Sequence, residues 1–157
     1  MTSSYVIALG SNRRGRHGGP ADEIRAALAA VGGVVLLSAI IETAPLGPST
    51  RRFANAAALI ESEDAPSDLL DRLQAIEADF GRRPGQRWRD RVIDLDIVLW
   101  SGGIWADERL TIPHPAFRQR RFVLDPLVRI VPHWRDPLTR LTVRQLAARL
   151  TRRAPVA

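Results

Sequence analysis

RRPGQRWRDRVIDLDIVL, residues Arg82 to Leu99, is the stretch on which the reading of this chain turns. Its second half alternates polar and apolar residues, the period of a β-strand. Residues two apart on a strand share a face, so Asp94 and Asp96 are expected side by side at a spacing of ~7 Å. Ile93, Leu95, Ile97 and Leu99 are expected to fill the opposite face. Two carboxylates at that distance repel by roughly 0.6 kcal/mol in water and roughly 2.4 kcal/mol at an effective dielectric near 20. A divalent cation between them reverses the sign. The first half supplies Arg82, Arg83, Arg87, Arg89 and Arg91, whose planar guanidinium forks suit phosphate oxygens. Any amphipathic strand with one wet face shows the same alternation, so the stretch alone leaves open whether its acids hold a metal or are simply solvated.

Working outward, the preceding helix is expected to begin at Pro66. Leu69, Leu70, Leu73, Ile76 and Phe80 form its apolar stripe, and Gly81 ends it. Its other face carries Asp71, Gln74 and Ala78, with Glu77 beside them. Upstream, Tyr5 to Leu9 reads as a strand, and Pro20 opens a helix whose Ile24, Ala27, Leu28 and Val31 recur at helical spacing until Gly32-Gly33. Val34 to Ile41 is a continuous β-branched and apolar run, read as a strand buried on both faces. Phe53 to Ile60 is another strand, interrupted by a polar Asn55. Downstream, Gly102-Gly103 turns into a short strand at Ile104-Trp105, and Thr142 with Gln145 fits a capping box for a last helix through Leu150.

Strand, helix, strand, strand, helix, strand is the split βαβ order. The expectation is an α+β fold with a ferredoxin-like βαββαβ core. Two helices cover one face of an antiparallel sheet, and extra C-terminal helices on the other complete three α/β/α layers. A single domain is expected over residues 1–157.

Composition narrows the chemistry. There is no cysteine, so disulfides and thiolate metal sites are excluded. All 23 basic residues are arginine, which excludes a lysine-bearing phosphate loop. The net charge of +6 suits an anionic partner. The N-terminal residues show no targeting pattern and no apolar run is long enough to span a membrane, so a cytoplasmic location is expected. His17, His114 and His133 lie in different segments. His114 is singled out because Thr111-Ile112-Pro113-His114 runs into Arg118, Arg120 and Arg121, whereas His17 and His133 are read as structural or solvated. Trp88, a large ring inside a basic loop, is a candidate for stacking on a flat ligand.

Several separate stretches then agree with one family. ALGSN at Ala8 to Asn12, ETAPLGP at Glu42 to Pro48, FANAA at Phe53 to Ala57 and IEADFGR at Ile76 to Arg82 stand in order with Arg87-Trp88, RVIDLDIV at Arg91 to Val98 and RLTIPHP at Arg109 to Pro115. Together they resemble the 6-hydroxymethyl-7,8-dihydropterin pyrophosphokinases of folate biosynthesis, in collinear order over most of the chain. The resemblance implies transfer of pyrophosphate from ATP to the pterin hydroxymethyl group, with release of AMP and two magnesium ions as cofactors.

It also implies roles for individual residues. Asp94 and Asp96 hold the metals, and Arg82, Arg91 and Arg87 clamp the triphosphate. Gln74, Glu77, Arg109, Thr111, His114 and Arg120 line the ATP site. The pterin sits among Thr43, Ala44, Leu46, Phe53, Asn55 and Phe122, with Trp88 closing over it; an amide such as Asn55 pairs with the mixed donor and acceptor edge of a pterin. Departures from the family pattern fall at Ser49 to Arg52, Arg89-Asp90 and Pro115. Expected partners are the two small substrates, with neither nucleic acid nor membrane, and the chain is expected to act as a monomer. Two alternatives stand beside this reading: an inactive relative, and a basic nucleic-acid-binding module of the same fold. Against the second, aromatics are only 6% and strand aspartates repel a phosphate backbone.

Overall fold

A computed structural model describes residues 1–43, 52–81 and 91–153. The elements in chain order are β1 (Ser3–Ser11), α1 (Pro20–Val31), β2 (Val34–Leu37), β3 (Ile41–Thr43), β4 (Phe53–Ser62), α2 (Pro66–Asp79) and β5 (Asp94–Trp100). A small hairpin of β6 (Trp105–Ala106) and β7 (Thr111–Ile112) follows, then α3 (Arg121–Ile130) and α4 (Val143–Arg153). The proline starts are as expected. Pro20 and Pro66 occupy first-turn positions where the missing N–H has no helical partner to lose, and α1 ends at Gly32 with φ 71°. At α4 the Thr142 N–H donates to Gln145 Oε1 (2.9 Å) and the Gln145 N–H donates to Thr142 Oγ1 (3.1 Å), a closed capping box.

The main sheet runs β2-β4-β1-β5, with β3 beside β2 along the same edge of β4, and every pairing is antiparallel. Side chains alternate across it into two cores. Tyr5, Ile7 and Leu9 of β1, Ala54, Ala56, Ala58 and Ile60 of β4, and Leu95 and Ile97 of β5 pack under Ile24, Leu28, Leu69 and Leu73 of α1 and α2. On the other face Val6, Ala57, Val98 and Leu99 pack under Val123, Leu124 and Leu127 of α3 and Val143 and Leu146 of α4. Three layers result, as the order of elements implied. Tyr5 illustrates how the first core admits a polar atom. Its hydroxyl donates to the Asp64 carbonyl (2.6 Å), and burial, with Asp64 and Asp68 nearby, pushes its pKa up to about 12.

Three expectations need correction. The run from Val34 to Ile41 is neither one strand nor buried: Val34 to Leu37 are 40 to 49% exposed, and the chain breaks at Ser38 before β3. Ser38 is instead drawn onto β4, its Oγ accepting the Ala57 N–H (2.9 Å) while its own N–H donates to the Ala57 carbonyl (2.9 Å). The pair β2 and β3 thus forms an edge that the described helices leave uncovered. Leu99 also changes sides, joining the α3 core rather than that of Leu95 and Ile97. The cause is a register shift in the β1/β5 pairing between Val6 and Ile7, which reverses the alternation. Glu77, expected with Gln74 on the open face of α2, is only 4% exposed. Its Oε2 accepts the Leu95 N–H (2.8 Å), tying α2 to the start of β5.

Candidate active site

The two halves of the α3-side sheet face differ. Toward the ends of β1 and β4 that meet α3 and α4 squarely, the face is apolar core. Toward the other end the strands carry small or polar residues, because of how three sequences fall in register. Asp94 of β5 pairs with Gly10 of β1, Gly10 with Asn55 of β4, and Asn55 with Ile41 of β3. One row therefore runs Asp94, Gly10, Asn55, Ile41 across the sheet. In the next row Asp96 pairs with Ala8 and Ala8 with Ala57. Gly10 matters for packing here: a Cβ placed on it would lie 3.2 Å from Asn55 Oδ1, close enough to crowd the amide.

These rows floor a cavity of about 960 Å³, near the upper end of ordinary small-molecule sites. Asp94, Asp96, Asn55, Thr43 and Phe53 line it from the sheet, with Arg91 at the entrance to β5. Arg120 and Phe122, at the start of α3, line the facing wall. The Arg120 guanidinium carbon lies 5.8 Å from the Phe122 ring centre, and both Phe53 (40%) and Phe122 (53%) keep exposed faces. Large rings left this open on a cavity are surfaces for a flat ligand.

Arg91 joins the cavity to its scaffold. Its Nη1 donates to Asp94 Oδ1 (2.8 Å), its N–H donates to Asn12 Oδ1 (2.7 Å), and its carbonyl accepts the Asn12 N–H (3.1 Å). The buried Arg91 Nε has no hydrogen-bond partner among the described residues. His114 is half-buried. Its N–H donates to the Val98 carbonyl (3.0 Å), and its Nδ1 accepts the Ala116 N–H (3.1 Å). A neutral ring that accepts at Nδ1 carries its proton on Nε2. Burial first and the Arg120 charge second hold the His114 pKa below the ordinary imidazole value, with Asp94 opposing them.

Of the residues singled out from sequence, Thr43, Phe53, Asn55, Arg91, Asp94, Asp96, Arg120 and Phe122 line this one cavity. Gln74 and Arg109 meet elsewhere, on the exposed side of α2, where Arg109 Nη2 donates to Asp71 Oδ1 (2.5 Å) and to Gln74 Oε1 (3.2 Å). Thr111 is exposed on β7, and Glu77 is spent on Leu95. Ala44, Leu46, Arg82, Arg87 and Trp88 lie outside the described residues. Sequence reading missed Asn12, Arg121 and Asp125 as wall residues. The signal for the last two was helical: Arg121, Phe122, Asp125 and Pro126 fall on one face of α3, at spacings of three and four.

Cation chemistry follows from the donor set. Asp94 and Asp96 offer carboxylate oxygens from same-face positions, and no cluster of three or more His, Cys, Asp or Glu exists among the described residues. Two hard oxygen donors suit magnesium, which keeps waters and completes its octahedron on substrate phosphates.

Residues 6–132 match the family model for 7,8-dihydro-6-hydroxymethylpterin-pyrophosphokinase. The 2-amino-4-hydroxy-6-hydroxymethyldihydropteridine pyrophosphokinase of Haemophilus influenzae is 42% identical over 83% of this chain and 82% of its own length. That of Pseudomonas aeruginosa is 39% identical over 94% of this chain and 93% of its own. Among solved structures, the Plasmodium falciparum HPPK-DHPS wild type with SDX-DHP superposes with a TM-score of 0.70 at 14% identity. It covers 98% of this chain, which spans 45% of that one, and at that identity the likeness concerns the fold.

Proposed function

Since the chain belongs to the 7,8-dihydro-6-hydroxymethylpterin-pyrophosphokinase family, and so transfers pyrophosphate from ATP to hydroxymethyldihydropterin in folate synthesis, we propose that the cavity over Asp94, Asp96 and Asn55 is where the two substrates meet. The single observation that carries this assignment is the row Asp94, Gly10, Asn55, Ile41, which sets a carboxylate and an amide on one floor beneath two open phenyl rings. Phe53 and Phe122 sandwich the pterin, and Asn55 pairs with its polar edge. Thr43, with Ala44 and Leu46 from the sequence, borders it.

The reaction joins the hydroxymethyl oxygen to the β-phosphorus of ATP, breaks the bond from that phosphorus to the oxygen that leaves with AMP, and releases the hydroxyl proton. Nothing covalent is asked of the protein, so alignment and charge carry the acceleration. Arg91 and Arg120 bring guanidinium groups to the cavity for the phosphate oxygens. Arg82 and Arg87 join them on the strength of the sequence, and Trp88 covers the pterin. His114, neutral with its proton on Nε2, donates a hydrogen bond toward the nucleotide without adding charge. Of the other residues that the resemblance assigns to ATP, Gln74, Arg109 and Thr111 stand outside this cavity, and Glu77 supports it from beneath by holding the Leu95 N–H at the start of β5. Asp94 and Asp96 would hold two magnesium ions, whose chemistry is to neutralise the phosphate oxygens and acidify the attacking hydroxyl.

We assign the chain as a monomeric cytoplasmic enzyme formed by one domain over residues 1–157. No helix among the described residues is long and apolar enough to cross a membrane. The test of the metal assignment is AMP release with both substrates present. Chelation should abolish it and added magnesium restore it, whereas full turnover in excess chelator would refute the metal roles of Asp94 and Asp96.

A further inference from the structure

Apart from Asn12, the loop between β1 and α1 is absorbed by none of the roles above, yet it touches the chain on both sides of residues 82–90. On the α2 side, Arg16 Nη2 donates to Asp79 Oδ2 (2.6 Å), and the Arg16 guanidinium lies 5.8 Å from the Phe80 ring centre. The His17 ring packs on that same phenyl group at 4.7 Å between centres. On the β5 side, Asn12 holds Arg91 through two backbone-directed hydrogen bonds, and Gly15 lies so close to Val92 that a Cβ there would sit 2.5 Å from Val92 Cγ1.

What fixes the loop is Glu23, a fully buried carboxylate on the first turn of α1. Its Oε1 accepts the His17 N–H (2.8 Å) and its Oε2 pairs with His17 Nδ1 (2.7 Å), so backbone and ring are both seized by one side chain. Gly15 is pressed against the same carboxylate, since a Cβ would lie 2.3 Å from Oε1. A buried carboxylate left without such partners would be costly, which holds the loop to this contact.

We propose that His17 is a positioning residue for the pyrophosphoryl transfer: anchored on Glu23, it holds the β1/α1 loop so that the end of α2 and the start of β5 keep one fixed relation. Arg91, and through it Asp94, are then aimed by a contact that touches neither substrate. The inference rests on the assignment of Arg91 and Asp94 to the triphosphate end of the cavity. Because the pterin end is built from β3, β4 and α3, the loop should govern ATP and leave the pterin alone.

Initial rates should therefore be measured against each substrate for His17→Ala, His17→Asn, His17→Phe and Arg16→Ala, with Val143→Ala as a fold control. Val143, the first residue of α4, is buried in the core that α3 and α4 share, away from the loop. His17→Ala is expected to raise KM for ATP about 10-fold, the scale of a misplacement well under 1 Å, while KM for the pterin stays within 2-fold. Asparagine places an amide N–H where Nδ1 stood and should restore most of the loss. Phenylalanine keeps the ring on Phe80 without the donor and should not. Arg16→Ala, an exposed truncation, should raise KM for ATP about 3-fold and carries the test if His17→Ala does not fold. Unchanged ATP kinetics in His17→Ala and Arg16→Ala, equal shifts for both substrates, or the same ATP effect in Val143→Ala would overturn the proposal. Failure of the underlying assignment reads out separately, as normal turnover in folded Asp94→Ala.

Discussion

The two faces of the central sheet are made by the same strands and do different work. Under α1 and α2, the inward strand positions from Tyr5 to Leu9, Ala54 to Ile60 and Leu95 to Ile97 are apolar apart from the Tyr5 hydroxyl, and they form one continuous core. Under α3 and α4 the face is core only in part, through Val6, Ala57, Val98 and Leu99. It then opens into the cavity where Ala8, Gly10, Asn55, Asp94 and Asp96 replace large apolar side chains. Strand alternation permits the division. One set of positions can be optimised for burial while the set between them is relieved of it. Stability and chemistry are thus separated by a single residue step along β5.

The strongest way to break this comparison is to remove an acid. Asp94→Ala or Asp96→Ala should lower kcat/KM at least about 1000-fold, a loss of about 4 kcal/mol in transition-state stabilisation, with little change in the unfolding midpoint. A thermal melt beside the AMP assay checks both halves. Next in size is the opposite behaviour on the other face. Ile24→Ala or Leu69→Ala, each at a fully buried position, should cost about 2–5 kcal/mol in urea unfolding and leave kcat of the folded fraction within 2-fold.

Asn55→Ala sharpens the division within the cavity. Losing the pterin-pairing amide should raise KM for the pterin about 10-fold, about 1.4 kcal/mol, and leave KM for ATP near its original value. An equal effect on both substrates would erase the two-ended cavity.

The smallest effect is the pH dependence of His114. Burial and Arg120 depress its pKa in the folded protein, so the unfolded chain takes up the proton first as pH falls. Its contribution to stability is therefore full above the ordinary imidazole value and is lost as pH drops below it toward the folded value. Urea unfolding of the wild type between pH 7 and 5 should show that loss, and His114→Gln should remove its share of the slope.

Much of this division could be seen in the sequence, and the failures have a common cause. The strand carrying Asp94 and Asp96, the Pro-started helices and the Thr142 to Gln145 capping box all rest on local periodicity or local hydrogen bonding, which residue order states directly. The apolar run at Val34 to Ile41 does not say what covers it, and an uncovered edge strand has the same composition as a buried one. Glu77 turned inward because of Leu95, and Leu99 changed faces because of a slip in pairing with Val6. Both are consequences of partners distant in sequence. The cavity was legible as separate motifs, but the row through Gly10 that joins Asn55 to Asp94 exists only once three strands are in register.

The most direct test of the central claim is calorimetric titration of a non-hydrolysable ATP analogue with magnesium, followed by the pterin, into the wild type, the Asp94→Ala/Asp96→Ala double variant and Leu69→Ala. The account predicts that the wild type and folded Leu69→Ala bind the analogue only with magnesium and then take up the pterin, while the double variant keeps its fold and loses metal-dependent nucleotide binding. Equal nucleotide affinity in the double variant and the wild type would contradict it.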